Sequence, residues 1–298
     1  MAGRETFGGH TMRRTFLALG VAVTLLLSGC GLESAGSAET PPPGSSSLPP
    51  VDAGDPNPDA PTSIAALGDS ISRGVNACAT IGECVEANWA TGTDPAVGSH
   101  FQRLEAAHPG QRVVSSNFAE NGAKVADLPG QAELAAGGAE YVTILIGAND
   151  ACDATPVGAV EFGSYVDRSL GVLTAAAPDV RVLVASIPNL YALWEAGRDN
   201  ERALWVWGLD LCAQMLGDAA SDEAGVEQRR QGVLSLIGEY NAALAAACAN
   251  YAACRFDGGA VFGAQLGLDE VSAIDYFHPS LAGQKALAEA LWKAGYDW

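Results

Sequence analysis

The chain is short of positive charge: 16 Lys and Arg stand against 35 Asp and Glu, a formal net charge of −19. So few cations cannot line a groove for a phosphate backbone, which excludes nucleic acid as a partner. No basic patch is left for anionic lipid either. Histidine is scarce as well, with four in 298 residues. No H-E-x-x-H, EF-hand spacing or C-x-x-C pair occurs, so the common zinc and calcium frameworks are missing. A metal-dependent hydrolase built on Asp69, Asp150, Asp153, Asp275 and His278 is therefore the weaker enzymatic reading, and no cofactor is expected. Long hydrophobic runs are lacking too. The longest apolar stretch, residues 16–27, falls short of the ~20 residues that span a bilayer.

That stretch lies in "TMRRTFLALGVAVTLLLSGC", where two arginines precede a short apolar run ending in small residues. The pattern is that of a signal peptide over 1–29. Its ending, "LSGC", resembles a bacterial lipobox. The resemblance implies lipidation at Cys30, a membrane anchor there, and a place on the outer face of the cell membrane. "RRTFL" is more weakly similar to a twin-arginine signal. Without residues 1–29 the net charge is −21. Residues 31–61 are mostly Gly, Ser, Ala, Pro and acids, including "PPPGSSSLPP". Such a segment cannot bury a core and reads as a tether. The expected organisation is leader 1–29, lipidated cysteine and tether 30–61, and one domain over 62–298.

Six cysteines remain beside Cys30, an even number that fits disulfides in an oxidising compartment. Pairing in sequence order is the expectation: Cys78–Cys84, Cys152–Cys212 and Cys248–Cys254.

Within the domain, nearly continuous apolar runs occur at "SIAALGD", "RVVSSNFA", "YVTILIGAND" and "VRVLVASIPN", with a weaker fifth at "CRFDGGAVF". They read as strands buried on both faces. Helical patterns fall at 96–107, 124–136, 158–176, 226–250 and 281–294. The alternation predicts an α/β fold, a central parallel sheet of about five strands with helices on both sides. Ligands bind beyond the carboxyl ends of such strands. Gly68-Asp69-Ser70, Gly122 and Asn149-Asp150 are expected there.

A serine hydroxyl becomes a nucleophile when a base takes its proton, and the usual base is histidine. His100 and His108 lie in "VGSHFQRLEAAHPG" and read as faces of a surface helix. His278 lies in "AIDYFHPSLAG", three residues after Asp275. That spacing lets the carboxylate hold one ring nitrogen and leaves the other free for Ser70. Oxyanion donors could come from the Ser70 N–H, the Gly122 N–H and the Asn149 amide.

These residues carry a resemblance. "GDSIS", "NFAENGA", "GAND" and "DYFHPS" are similar, in order, to the four sequence blocks of the SGNH/GDSL hydrolases. The resemblance implies a three-layer α/β/α sandwich of flavodoxin-like type. It also implies an esterase or lipase with Ser70 as nucleophile, His278 as base, Asp275 as acid, and Ser70, Gly122 and Asn149 at the oxyanion. The implied partner is a small-molecule or lipid ester, and a monomer is expected. Ile71 replaces a usual Leu, Asn121 a frequent Ser, and Val125-Ala126 a frequent Ser/Thr. "YVTILIGANDAC" and "SIPNLYALWEAG" resemble the phospholipase B-like branch more closely. The competing readings are a tethered ligand-binding lipoprotein without catalysis, and a deacetylase of an acylated glycan. One further segment, "NLYALWEAGRDNERALWVWGLDLC", is too long for a plain strand-to-helix loop. Its Trp194, Trp205 and Trp207 either pack on the core or form an apolar wall beside the site. A Cys152–Cys212 bridge would pin it to the Asn149 loop.

Overall fold

The computed structural model describes residues 57–78, 80–264 and 266–297. The leader, Cys30 and most of the tether lie outside the described residues. The five apolar runs become β1 (Ser63–Gly68), β2 (Val114–Asn117), β3 (Tyr141–Leu145), β4 (Arg181–Val184) and β5 (Cys254–Phe256). They pair in parallel in the order β2-β1-β3-β4-β5. The helices are α1 (His100–Ala107), α2 (Leu128–Ala135), α3 (Ala148–Ala151), α4 (Ala159–Ala176), α5 (Leu190–Gly197), α6 (Glu201–Trp207), α7 (Ala213–Leu216), α8 (Ala224–Cys248), α9 (Ala260–Gly263) and α10 (Leu281–Ala294).

Strand alternation divides the core between two faces. Ile64 and Ala66 of β1 face Leu104 of α1 and Leu287 and Leu291 of α10. Ala65 and Leu67 face α2, α4 and α8 through Leu128, Val166 and Ile237. Each such leucine or valine contributes about 1.5–3 kcal/mol by leaving water. This is the expected three-layer sandwich of flavodoxin-like strand order. The order reverses between β1 and β3, and ligands bind at such switch points.

Helix starts follow their caps. The helix expected over 96–107 begins at His100, because Ser99 and Gln102 form a reciprocal capping box. The pattern over 124–136 splits into a 3₁₀ turn, Val125–Asp127, and α2, whose first turn holds Pro129. Of "CRFDGGAVF" only the first three residues pair as a strand; the last part is α9.

One expectation is corrected. His100 and His108 do not face solvent; both are buried. His100 donates from Nε2 to Ala288 O (3.2 Å) and accepts at Nδ1 from the Tyr141 hydroxyl (2.9 Å). Burial pushes its pKa down to about 3, so it is a neutral core residue. His108 bonds Ala60 O (2.8 Å).

The disulfides are Cys78–Cys84, Cys152–Cys212 and Cys248–Cys254. They fit a protein made for an exported, oxidising setting. No helix among the described residues is long and apolar enough to cross a membrane.

Candidate active site

Ser70 stands two residues beyond β1, at a turn whose backbone is held from both sides of the sheet. Gly68 has φ +138°, and a Cβ there would lie 2.1 Å from Leu145 O, so only glycine fits. Buried Gln131 of α2 accepts the Gly68 N–H (2.7 Å) and donates to Gly68 O (2.9 Å). Buried Gln284 of α10 donates to Ile71 O (2.9 Å). Two side chains thus brace the backbone of this turn from opposite faces of the sheet.

His278 reaches this turn from the loop before α10. Its Nε2 lies 2.8 Å from Ser70 Oγ, and its Nδ1 lies 2.5 Å from Asp275 Oδ2. An ionised carboxylate only accepts, so Nδ1 carries the proton and Nε2 accepts from Ser70. The Phe277 and His278 N–H groups both donate to Asp275 Oδ1 (3.0 Å each). Burial alone would raise the Asp275 carboxyl; the His278 hydrogen bond and charge, with help from Asn76, outweigh it and hold the pKa below its ordinary value. All three side chains are buried.

Asn149 sits in α3, directly after β3. Gly147 starts that turn at φ +119°, where a Cβ would lie 2.5 Å from Ile187. The Asn149 amide donates to Ala123 O (2.9 Å). Gly122, at φ +80°, immediately precedes that carbonyl, so the β2 and β3 loops meet at this bond. Among the described residues the amide donates to no second acceptor. The Ser70 and Gly122 N–H groups donate to no acceptor among the described residues.

The sequence of the described domain matches the GDSL-like lipase/acylhydrolase family over residues 66–286. The chain belongs to that family. A GDSL-like acylhydrolase is an ester hydrolase, and the match runs from within β1 to within α10. No curated protein is significantly similar in sequence. Among solved structures, phospholipase A1 from Streptomyces albidoflavus is 18% identical, with a TM-score of 0.45 over 79% of this chain and 100% of that one. TesA is 18% identical, with a TM-score of 0.46 over 78% and 97%. The lipase/acylhydrolase from Enterococcus faecalis is 16% identical, with a TM-score of 0.44 over 78% and 93%. Membership rests on the 66–286 match rather than on these likenesses.

In this acylhydrolase the carboxylates considered for a metal are engaged separately. Asp153 pairs with Lys124, Asp150 accepts the Val125 N–H (3.0 Å), and Asp275 holds His278. Asp69 is fully buried, accepts the Ile71 N–H at Oδ1 (2.9 Å), and leaves Oδ2 unpartnered. Burial raises its pKa from 3.8 to about 7, against the Ile71 N–H and the nearby His278. The folded chain therefore holds a proton there that the unfolded chain releases near 3.8. The stability tied to that proton is intact below 3.8 and is lost as pH climbs toward 7. Asp69→Asn should flatten the fall in melting temperature between pH 4 and pH 7. Parallel curves for variant and wild type would mean that Asp69 is ionised in the fold throughout.

The long segment after β4 is α5, α6 and α7. Trp194 and Trp207 are buried in the core, while Trp205 is 71% exposed. The tryptophans are thus not the apolar wall. Trp207 instead donates from Nε1 to Tyr276 O (3.1 Å). Tyr276 has φ +54° and lies between Asp275 and His278, so this bond braces their turn. The Cys152–Cys212 bridge ties the segment to the end of α3. Sequence reasoning missed the pocket that α5 does line. Ile71, Ala148, Leu190, Leu193, Phe277 and Pro279 are among its walls. Four of its residues, Ile71, Ala148, Phe277 and Pro279, flank Ser70, Asn149 and His278 in sequence, which places it beside the site. The signal was available: Asn189 caps α5 by accepting the Ala192 N–H (3.0 Å), and an Asn before an apolar-periodic run is a helix start.

Proposed function

We propose that the protein cleaves carboxylic esters by a Ser–His–Asp mechanism with an acyl-enzyme intermediate. The observation that carries the reading is the unbroken Ser70 Oγ–His278–Asp275 chain at 2.8 and 2.5 Å. His278 Nε2 takes the Ser70 proton as Oγ attacks the ester carbonyl. Asp275 keeps the imidazole in the required tautomer and stabilises the imidazolium. The Ser70 and Gly122 N–H groups and the Asn149 amide receive the oxyanion. His278 then protonates the leaving alcohol. Water, activated by the same nitrogen, attacks the acyl-enzyme and releases the acid and Ser70.

The apolar pocket receives the acyl group, which favours a lipid or other apolar ester over an acylated glycan. With Cys30 lipidated, the domain would work from the outer face of a membrane, next to lipid esters. The pocket assignment is tested by Ala192→Phe, which fills the half-buried α5 wall. On p-nitrophenyl esters, kcat/KM for octanoate should fall about 10-fold or more relative to acetate. An equal loss on both esters would place the acyl chain elsewhere.

A further inference from the structure

Asn76 lies six residues beyond Ser70, two residues before the loop that the Cys78–Cys84 disulfide closes. It is buried, and the mechanism above does not use it. Its Nδ2 donates to Asp275 Oδ2 at 2.6 Å, across 199 positions of sequence. Its Oδ1 accepts the Gly82 N–H (2.9 Å), and its own N–H donates to Gly82 O (2.7 Å). Both ends of the amide are therefore fixed, Oδ1 by Gly82 of the disulfide-closed loop and Nδ2 by Asp275. Its φ of +56° is a left-handed conformation that asparagine tolerates better than most residues.

We propose that Asn76 is a positioning residue for the acid of the triad, and that the Cys78–Cys84 loop is its mount. The inference rests on the Ser70–His278–Asp275 reading. Among the described residues, Asp275 Oδ1 is held by N–H groups of its own turn, Phe277 and His278. Oδ2 takes His278 Nδ1 and, from the nucleophile's loop, Asn76 Nδ2. Asn76 is thus a direct tie between the segment that carries Ser70 and the segment that carries Asp275. It sets the acid, and through it the imidazole, at the right distance from the nucleophile. Only an amide of this length can accept from Gly82 and donate to Asp275 together. An aspartate offers a second carboxylate to Asp275, and a serine offers too short a reach.

Two variants test this. Asn76→Gly removes the amide while keeping a residue at ease at positive φ. Asn76→Asp keeps the shape and the Gly82 contact while replacing the donor. Each should lower kcat about 10–100-fold, the worth of a hydrogen bond to a charged group. KM should stay within about twofold in both, since Asn76 touches no part of the substrate. The decisive arm repeats Asn76→Gly in an Asp275→Ala background. A residue that acts through Asp275 should cost less than about twofold there. The inference fails if Asn76→Asp keeps wild-type turnover, or if Asn76→Gly costs the same factor with and without Asp275. If Asp275→Ala alone leaves turnover intact, the triad reading fails instead, so the two failures are distinguishable.

Discussion

Ser70→Ala and His278→Ala are each expected to reduce kcat by about 10⁴-fold or more, and the double variant by little further. On the proposed mechanism the hydroxyl and the imidazole, 2.8 Å apart, act as one unit, so losing either removes the whole proton-transfer route. The other described histidines, His100 and His108, are buried in the core. His100 is locked between Tyr141 and Ala288, and His108 is bonded to Ala60. His108→Ala should therefore leave kcat near wild type. Asp275→Asn should cost less than either principal variant, because the two turn N–H groups still orient the loop. Near-full turnover in Ser70→Ala would contradict the mechanism.

Asn149→Ala is expected to reduce kcat about 10²–10³-fold with KM nearly unchanged. One amide hydrogen is committed to Ala123 O. That bond aims the other hydrogen and keeps the Asn149 loop against the Gly122 loop. A donor aimed where charge develops acts on the transition state rather than on bound substrate. An effect confined to KM would reduce Asn149 to a substrate contact. The Cys152–Cys212 bridge gives a second reading of the same loop. It closes 60 positions of chain, which the chain-entropy model values at about 4 kcal/mol. Cys152→Ser/Cys212→Ser should lower the melting temperature. It should also lower kcat where the protein is still folded, if the bridge holds α3 in place. Unchanged kcat under those conditions would make the bridge purely a stabilising one.

The parts of the fold legible in the sequence were those with a strong period. All five runs became strands, and 281–294 and 158–176 became α10 and α4 almost residue for residue. Helices α5, α6, α7 and α9 run for only four to eight residues. Two turns or fewer leave too little periodicity to separate from loop, although Asn189 and Asn200 both cap as helix starts. The serine, histidine and acid were legible because chemistry restricts their types and the blocks restrict their order. Burial was not: the helix bearing His100 looked amphipathic, but α10 covers it. Nor was Asn76, since an asparagine just before a cysteine-closed loop reads as a turn former. Only the third dimension brings Asp275 to it. The tryptophans left two readings open, and Trp194 and Trp207 took the core one. Trp207 is large enough to be a pocket wall, yet its indole N–H finds a carbonyl in the core, as buried tryptophans usually do.

The central claim is that Ser70 is a nucleophile activated by His278. Fluorophosphonate labelling followed by peptide mapping tests it most directly, because the probe reacts with an activated serine and with no bound ester. The account predicts one adduct, on Ser70, lost in Ser70→Ala and slowed by orders of magnitude in His278→Ala. An adduct on another serine, or labelling of Ser70 at the same rate without His278, would contradict it.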